Sequence, residues 1–352
     1  MSKKILHIAN SDKFIPPFIE FVKEHFEFSE HQFLLTGGMA QDQLKPYENA
    51  QLAKKTIFGR LQHYVQAVIK MHQAKKVILH GLFDIKLVYI LFFMPWLLKK
   101  CYWVMWGGDL YVYQLGERNW KWKVREFFRR PVIKNMGYIV SGNQGDIANA
   151  KEWYGFNGEK LNCVFYTSNI FRNDIKTITC ETSDEIRVLV GNSATETNRH
   201  LEAFEIVYSE KIKSKKNVKL IVPLSYGDPK YCKVVIDYGK KKFGDDFVPI
   251  TYFMLYQSYI NILYNSDIVV FNHNRQQGFG NLVQLLGFGK KVYISRQSTL
   301  WDYFKSIGVV VYDIEKFDIV PIEESLALKN RKAIEENFSV ERIIFDMKKV
   351  FE

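Results

Sequence analysis

"DIVVFNHNRQQGFGNLVQLLGFGKKVYISR", residues 267–296, runs from a β-branched strand pattern through a polar, glycine-bearing loop into a short apolar helix pattern, and then into a second strand pattern. Strand, loop, helix and strand in this order make one unit of a parallel sheet covered by helices. Ligands of such sheets lie beyond the carboxyl ends of the strands, which directs attention to the loop after "DIVVF". The helix begins at about Asn281, and a helix N-terminus presents unpaired N–H groups and positive partial charge. Gly278 and Gly280 can let a diphosphate approach that backbone while Arg275 neutralises it, and the amides of Gln276 and Gln277 can orient sugar hydroxyls or a base. A plain tight turn with a solvated arginine fits the same residues. No Gly-Lys-Ser/Thr follows, so this is not a Walker loop, and no dinucleotide fingerprint follows the first strand.

The same alternation extends in both directions. Toward the C-terminal half, "IRVLVGNS", "VKLIVPLS", "PITYFML", "DIVVFNH", "KVYISR" and "VVVYD" are strand-like. In the first half "KILHIAN", "HQFLLT", "KVILHG", "YWVMWG" and "GYIVSG" are strand-like, with helical patterns such as "FIPPFIEFVKEHF" and "FGRLQHYVQAVIKMHQ" between them. The periodicity lapses over Thr167–Glu185, which predicts a linker. Two doubly wound α/β domains are therefore expected, residues 1–170 and 185–352, with a cleft between them. The C-terminal "NRKAIEENFSVERIIFDMKKVFE" is predicted helical, with Ile334, Phe338, Ile343, Ile344, Met347 and Val350 as an interrupted apolar face that could pack on either domain.

A chain of 352 residues suits two cores, and 47% apolar with 25% charged residues is ordinary globular usage. The 15% aromatic share points to large packed or sugar-facing surfaces. Lys plus Arg exceed Asp plus Glu by 49 to 38, a balance that favours anionic partners. Cys101, Cys163, Cys180 and Cys232 have neither zinc spacing nor disulfide-scaffold density, so free thiols in a reducing compartment are expected. "MSKKILHIANSDKF" has too few apolar residues for a signal-peptide core, and "LVYILFFMPWLL" (Leu87–Leu98) is too short to span a bilayer.

Other strand ends carry chemistry as well. "VLVGNSATETNRH" places Gly191, Asn192 and Ser193 where they could donate to the same phosphates, although Asn and Ser are also ordinary helix caps. "YWVMWGGDLY" sets Trp106, Gly107, Gly108, Asp109 and Tyr111 after a strand, and His80 ends another. Asp109, His80 or Asp12, in "ANSDKF", could deprotonate an acceptor hydroxyl. Taken alone, such residues are more often structural, His80 as a satisfied buried histidine and Asp109 as a helix cap. No Asp-x-Asp or His/Cys ligand set points to a metal, and no Gly-x-Ser-x-Gly elbow points to acyl transfer. "NWKWKVREFFRRPVIK" interleaves Trp120 and Trp122 with Arg125, Arg129 and Arg130, which suits either an anionic bilayer or a solvated basic face. Nothing in it matches a nucleic-acid recognition motif.

"HGLFD", "WVMWGGDLY", "LVGNSATETNRH", "IVPLSYG" and "RQQGFGNLVQLLGFGKKVYISRQSTLWDYF", in this order, resemble the bacterial N-acetylfucosaminyltransferases of glycosyltransferase family 56 over nearly the whole chain. The resemblance implies a GT-B architecture, with two Rossmann-like domains, the C-terminal one binding a TDP- or UDP-sugar and the N-terminal one an acceptor. The implied acceptor is a polyprenyl-diphosphate-linked saccharide at the cytoplasmic face of the bacterial inner membrane, which would engage the anionic surface through residues such as Trp106, Tyr111 and the 119–134 stretch. No cofactor, metal or nucleic acid is implied. The implied donor site comprises Gly191, Asn192, Ser193, Arg275, Gln276, Gln277, Gly278, Gly280 and Asn281, with Tyr226 and Gly227 nearby. The sequence departs from the family pattern at Asn281, where a smaller hydroxyl residue is expected, and at Gly108, which stands in place of an alanine. The competing function class is a two-lobed solute- or nucleotide-binding protein without transferase activity.

Overall fold

The computed structural model describes residues 4–37, 48–115, 117–174 and 185–352. The chain forms two compact units, Met1–Ser168 with Ile343–Glu352, and Asn169–Arg342.

In the first unit the strands are β1 (Ile5–Asn10), β2 (His31–Thr36), β3 (Ala50–Leu52), β4 (Lys76–His80), β5 (Cys101–Val104), β6 (Tyr138–Val140) and β7 (Glu159–Leu161). They lie in the order β3-β2-β1-β4-β5-β6-β7, and every pairing is parallel. The helices α1 (Ile15–His25), α2 (Ile57–Gln73), α3 (Ile85–Phe93), α4 (Gly108–Tyr111), α5 (Trp120–Lys134) and α6 (Gln144–Tyr154) connect them. Local chemistry starts and stops these helices. Thr56, Asp84, Asn119 and Asn143 cap α2, α3, α5 and α6 through side-chain oxygens, and Gly155 closes α6 in the left-handed region at φ 69°.

The second unit repeats the plan with β8 (Glu185–Val190), β9 (Asn217–Pro223), β10 (Phe247–Ile250), β11 (Ile268–Phe271), β12 (Lys291–Ile294) and β13 (Tyr312–Asp313). Their order is β10-β9-β8-β11-β12-β13, again all parallel. The helices are α7 (His200–Ser214), α8 (Pro229–Phe243), α9 (Tyr256–Tyr264), α10 (Phe279–Gly287), α11 (Thr299–Ser306) and α12 (Glu324–Phe338). The central strands β11 and β12 are buried throughout, as two-sided helical cover requires.

Several details differ from the sequence expectation. The "PITYFML" strand stops at Ile250, and Tyr252, Phe253 and Leu255 are exposed. The edge strands β3 and β7, "AQL" and "EKL", carry no apolar pattern and were not expected; pairing to a neighbour at the sheet edge forms them. In the expected linker, residues 175–184 lie outside the described residues, as does Cys180, whereas Ile170 and Phe171 are buried. The Phe171 ring occupies the space beside Gly287, where a Cβ would come within 2.2 Å of it. Among the described residues Cys101, Cys163 and Cys232 form no disulfide.

The predicted C-terminal helix is two, α12 and α13 (Val340–Phe351), broken at Ser339, whose Oγ accepts from Arg342 N at 3.2 Å. From Ile343 onward α13 belongs to the first unit rather than the second. There the Phe351 ring meets His7, His31, Phe26 and Phe165, and Lys76 Nζ donates to Val350 O at 3.0 Å. Helix α2 buries Gly59, His63, Ala67 and Met71 and turns Ile57, Leu61, Val65 and Ile69 outward.

Candidate active site

In the second sheet the connections leave in opposite directions from β8 and β11, which are neighbours, so a crevice opens above their carboxyl ends. The two loops found there are those carrying Gly191–Ser193 and residues 272–280. They are joined by one side chain. Gln277, buried, donates from Nε2 to Asn192 Oδ1 at 3.0 Å, Ser193 Oγ at 3.0 Å and Thr195 Oγ1 at 2.9 Å, while its Oε1 accepts from Thr197 Oγ1 at 2.6 Å. The amide expected to face a sugar or base is thus engaged in tying the loops together.

Asn198 completes this network from below. Its Nδ2 donates to Thr195 Oγ1 at 2.7 Å and Ser193 O at 3.0 Å, and its Oδ1 accepts from Asn192 N at 3.1 Å. With Oδ1 an acceptor, the His273 Nε2 found 2.7 Å away is the donor, which assigns the tautomer of a buried neutral imidazole. Burial, then the Arg275 charge and then His200, lower the His273 pKa to about 3. A third loop is stitched on by the Ala194–Gly227 bridge, with Ala194 N donating to Tyr226 O at 2.7 Å. Gly227 has φ 124°, and a Cβ there would lie 2.3 Å from Ala194 O, so no larger residue fits. Asn192 Nδ2 then donates to Tyr226 Oη at 2.9 Å, and the Tyr226 ring stacks toward exposed Phe253 with centroids 6.3 Å apart.

Helix α10 starts in this crevice. Gly278 is its N-cap in the left-handed region, φ 67°, with no side-chain cap, so the first-turn N–H groups are left to a ligand or water. Half-buried Arg275 lies three residues earlier, its Nη1 donating to Gln276 O at 3.1 Å. Gly280 is in the first turn, and Asn281 Nδ2 donates to Tyr259 Oη at 2.7 Å. Main-chain donors, a positive helix end and a guanidinium in one crevice can stabilise an oligophosphate. Among the described residues, no group of three or more His, Cys, Asp or Glu is placed to hold a metal ion.

The corresponding point of the first sheet, between β1 and β4, has different contents. Trp106 Nε1 donates to Tyr166 Oη; Tyr166 Oη and His80 Nδ1 are 2.8 Å apart, His80 Nε2 and His7 Nδ1 3.0 Å, and His7 Nε2 and His31 Nδ1 2.9 Å. A phenol has two lone pairs as well as one proton, so with Trp106 donating to Tyr166 the series can run from Tyr166 through His80 and His7 to His31 or in the reverse direction. Burial holds the His80 pKa down at about 3 and that of His7 well below its ordinary value. Both His80 nitrogens are therefore engaged, one with His7 and the other with Tyr166.

Asp109, 1% exposed, accepts from Trp103 Nε1 at 2.6 Å, Leu82 N at 2.9 Å and Trp106 N at 3.0 Å. Burial raises its pKa, against the pull of those donors and Arg129. It positions the 106–110 turn rather than facing solvent. Arg129 is also interior, donating to Leu82 O and Asp109 O at 2.7 Å each, and the Tyr111 hydroxyl donates to Asp146 Oδ1 at 3.0 Å. Neither offers a surface contact. Trp120 and Arg130 are exposed, and Trp106, Trp122 and Arg125 are half-buried. Asp12, half-buried in the loop after β1, is close enough for its charge to raise the Tyr166 pKa, after burial and Asp109 and against the Trp106 hydrogen bond. Of the three expected bases it is the least buried, with its Oδ1 accepting from the adjacent Lys13 N.

Sequence reasoning passed over Thr195, Thr197, Asn198, His273, Tyr166, His7 and His31. The first three sit inside a quoted strand-end stretch, and their polarity was a usable signal; the histidines in strands were indistinguishable from filler.

The sequence model described as 4-alpha-L-fucosyltransferase glycosyl transferase group 56 matches residues 9–339. The chain belongs to this family. A group 56 member is a glycosyltransferase, and the solved structures similar to this one are consistent in fold. Sucrose-phosphate synthase from Thermosynechococcus elongatus matches at TM-score 0.67 and 10% identity over 99% of this chain and 98% of that one. A UDP-forming alpha,alpha-trehalose-phosphate synthase from Burkholderia xenovorans matches at 0.66 and 8% over 100% of both. Anabaena Alr3699/HepE, solved in complex with UDP and glucose, matches at 0.65 and 11% over 99% of both. The group 56 chain accordingly has the two-domain α/β fold of GT-B glycosyltransferases.

Proposed function

We propose that the protein transfers an N-acetylfucosamine-type deoxyhexosamine from a TDP- or UDP-sugar to a polyprenyl-diphosphate-linked saccharide during synthesis of a bacterial surface glycan, at the inner face of the inner membrane. The observation carrying this reading is the convergence of Arg275, the uncapped α10 N-terminus and the Gln277-tied loops at the reversal point of the second sheet. Cleaving the sugar–phosphate bond leaves negative charge on the diphosphate. Fixed donors aimed at that charge stabilise the transition state more than the bound donor sugar, and they do not have to reorganise as it forms. The Tyr226 and Phe253 rings beside Asn192 supply a face for the nucleobase.

In the first unit Asp12 takes the acceptor proton as the hydroxyl attacks the anomeric carbon. Trp106 and Tyr166, aligned by the imidazole series, offer an indole edge and a phenol to the acceptor sugar. The excess of basic over acidic residues, 49 to 38, suits an acceptor carrying a diphosphate in an anionic surface. The test is purified protein presented with TDP- and UDP-deoxyhexosamines and a synthetic lipid-diphosphate saccharide, read by mass spectrometry. One added deoxyhexosamine is expected. Calorimetry showing no affinity for TDP or UDP, or binding without any sugar transferred, would refute the proposal.

A further inference from the structure

Among the described residues no helix is long and apolar enough to cross a membrane. Helix α2 nevertheless carries Ile57, Leu61, Val65 and Ile69 at a repeat of four on its outer side, 85%, 61%, 52% and 50% exposed, with Phe58 beside them at 84%. The core-facing set, Gly59, His63, Ala67 and Met71, is displaced by two positions, or roughly 200° around the helix. The helix is thus apolar on two opposite faces, and its larger side chains are on the outer one. Water would not select that arrangement for a surface helix.

The stripe is continuous with other exposed rings. At the C-terminal end of α2, Trp96 Nε1 donates to His72 Nε2 at 3.1 Å, with Trp96 itself 59% exposed. Phe92, next to exposed Phe93, reaches Phe127 on α5, 67% exposed, at a centroid distance of 5.9 Å. The charge surrounding this face is mostly positive, with Asp84, which accepts from the Tyr64 hydroxyl of α2 at 2.8 Å, as an acid outnumbered by basic residues. Residues 49–83 contain Lys54, Lys55, Arg60, Lys70, Lys75 and Lys76 and no Asp or Glu. Lys121 and Lys123 flank the exposed end of α5.

We propose that α2 lies in the interface of an anionic lipid bilayer, with Ile57, Phe58, Leu61, Val65 and Ile69 among the acyl chains and the surrounding lysines and arginine on lipid phosphates. Charge decides against a second copy of this chain as the occupant. A two-fold contact would set each basic patch against itself, with basic residues outnumbering the flanking Glu48 and Asp84 on both sides, whereas anionic headgroups complement it. Trp96 and exposed Trp120 suit the headgroup level, where one edge of an indole is wet. The assignment deepens the membrane half of the proposed function and moves its centre from α5 to α2.

The test uses the full chain with vesicles of phosphatidylcholine, with and without phosphatidylglycerol, in co-sedimentation. Binding is expected only with phosphatidylglycerol. The triple variant Leu61→Ser, Val65→Ser, Ile69→Ser, exposed positions whose change spares the core, is expected to bind about tenfold more weakly or worse. The variant Lys54→Ser, Lys55→Ser, Arg60→Ser should lose on the order of fivefold per charge and become less sensitive to salt. Unchanged sedimentation of both variants overturns the proposal. So does a wild-type dimer in light scattering that the apolar variant disperses while neither protein sediments. Calorimetry with TDP or UDP on the same samples separates this outcome from failure of the donor site, since α2 makes no contribution to it.

Discussion

Both sheets reverse their connections beside the first strand of their unit, between β1 and β4 and between β8 and β11, yet the two reversal points carry opposite chemistry. At β8 and β11 the loops are rich in amides, hydroxyls and glycines, with a guanidinium and an uncapped helix start. At β1 and β4 there are neutral imidazoles, rings and a carboxylate. The first environment favours an anion, because it presents donors already fixed in place. The second offers rings and a carboxylate, groups of the kind that contact sugars and take up protons. The same backbone plan thus supplies two kinds of site, and the difference lies entirely in what the strand ends carry.

That division can be broken by experiment. Asp12→Asn is expected to lower turnover by about 10²–10⁴ with donor affinity and melting temperature unchanged; steady-state kinetics beside nucleotide calorimetry checks it, and weakened donor binding would erase the distinction between the units. Arg275→Ala should cost about 10²–10³ in turnover and also weaken TDP or UDP binding. Normal kinetics and affinity in that variant would empty the second site of its main charge. Gln277→Ala leaves the Asn192, Ser193, Thr195 and Thr197 side chains without their shared partner, so urea unfolding should report a loss of about 1–3 kcal/mol.

The smallest effect per group is shared by both units. His7, His80, His200 and His273 are buried with pKa values lowered, chiefly by desolvation, to about 3 for the last three. A depressed folded pKa means the unfolded chain binds the proton first. The stability these groups contribute is therefore present above the unfolded value near pH 6.5 and is lost as pH falls toward the folded one. Taking the pH from about 7.5 to about 5.5 should cost about 1 kcal/mol per histidine, read as a shift in the urea midpoint. A midpoint that does not move would mean that these imidazoles are not neutral and buried together.

Much of the crevice at β8 and β11 was legible because its signals are local. Gly191 and Gly278 have φ 69° and 67°, values that glycine accommodates easily, and each follows a strand recognisable from its own residues. Asp109 shows where local reading stopped. "WGGDLY" fits an exposed base as well as a buried anchor, and the deciding partners, Trp103, Leu82 and Arg129, come from β5, the loop after β4, and α5. Gln277 is similar, since its three acceptors lie more than eighty positions earlier in the chain.

Alternating strand and helix patterns, set by side-chain period and by glycine, proline and capping residues, determined from the sequence alone that this chain folds as two parallel α/β sheets with chemistry at the strand ends. Tertiary structure decided which of two apolar stripes on α2 faces the core, that α13 returns to the first unit, and which polar side chains are held inside rather than offered to a substrate. The reason is one of range. Periodicity records which residues share a face, but the direction a face takes depends on shape and hydrogen-bond partners contributed by distant segments, and these meet only when the chain has packed.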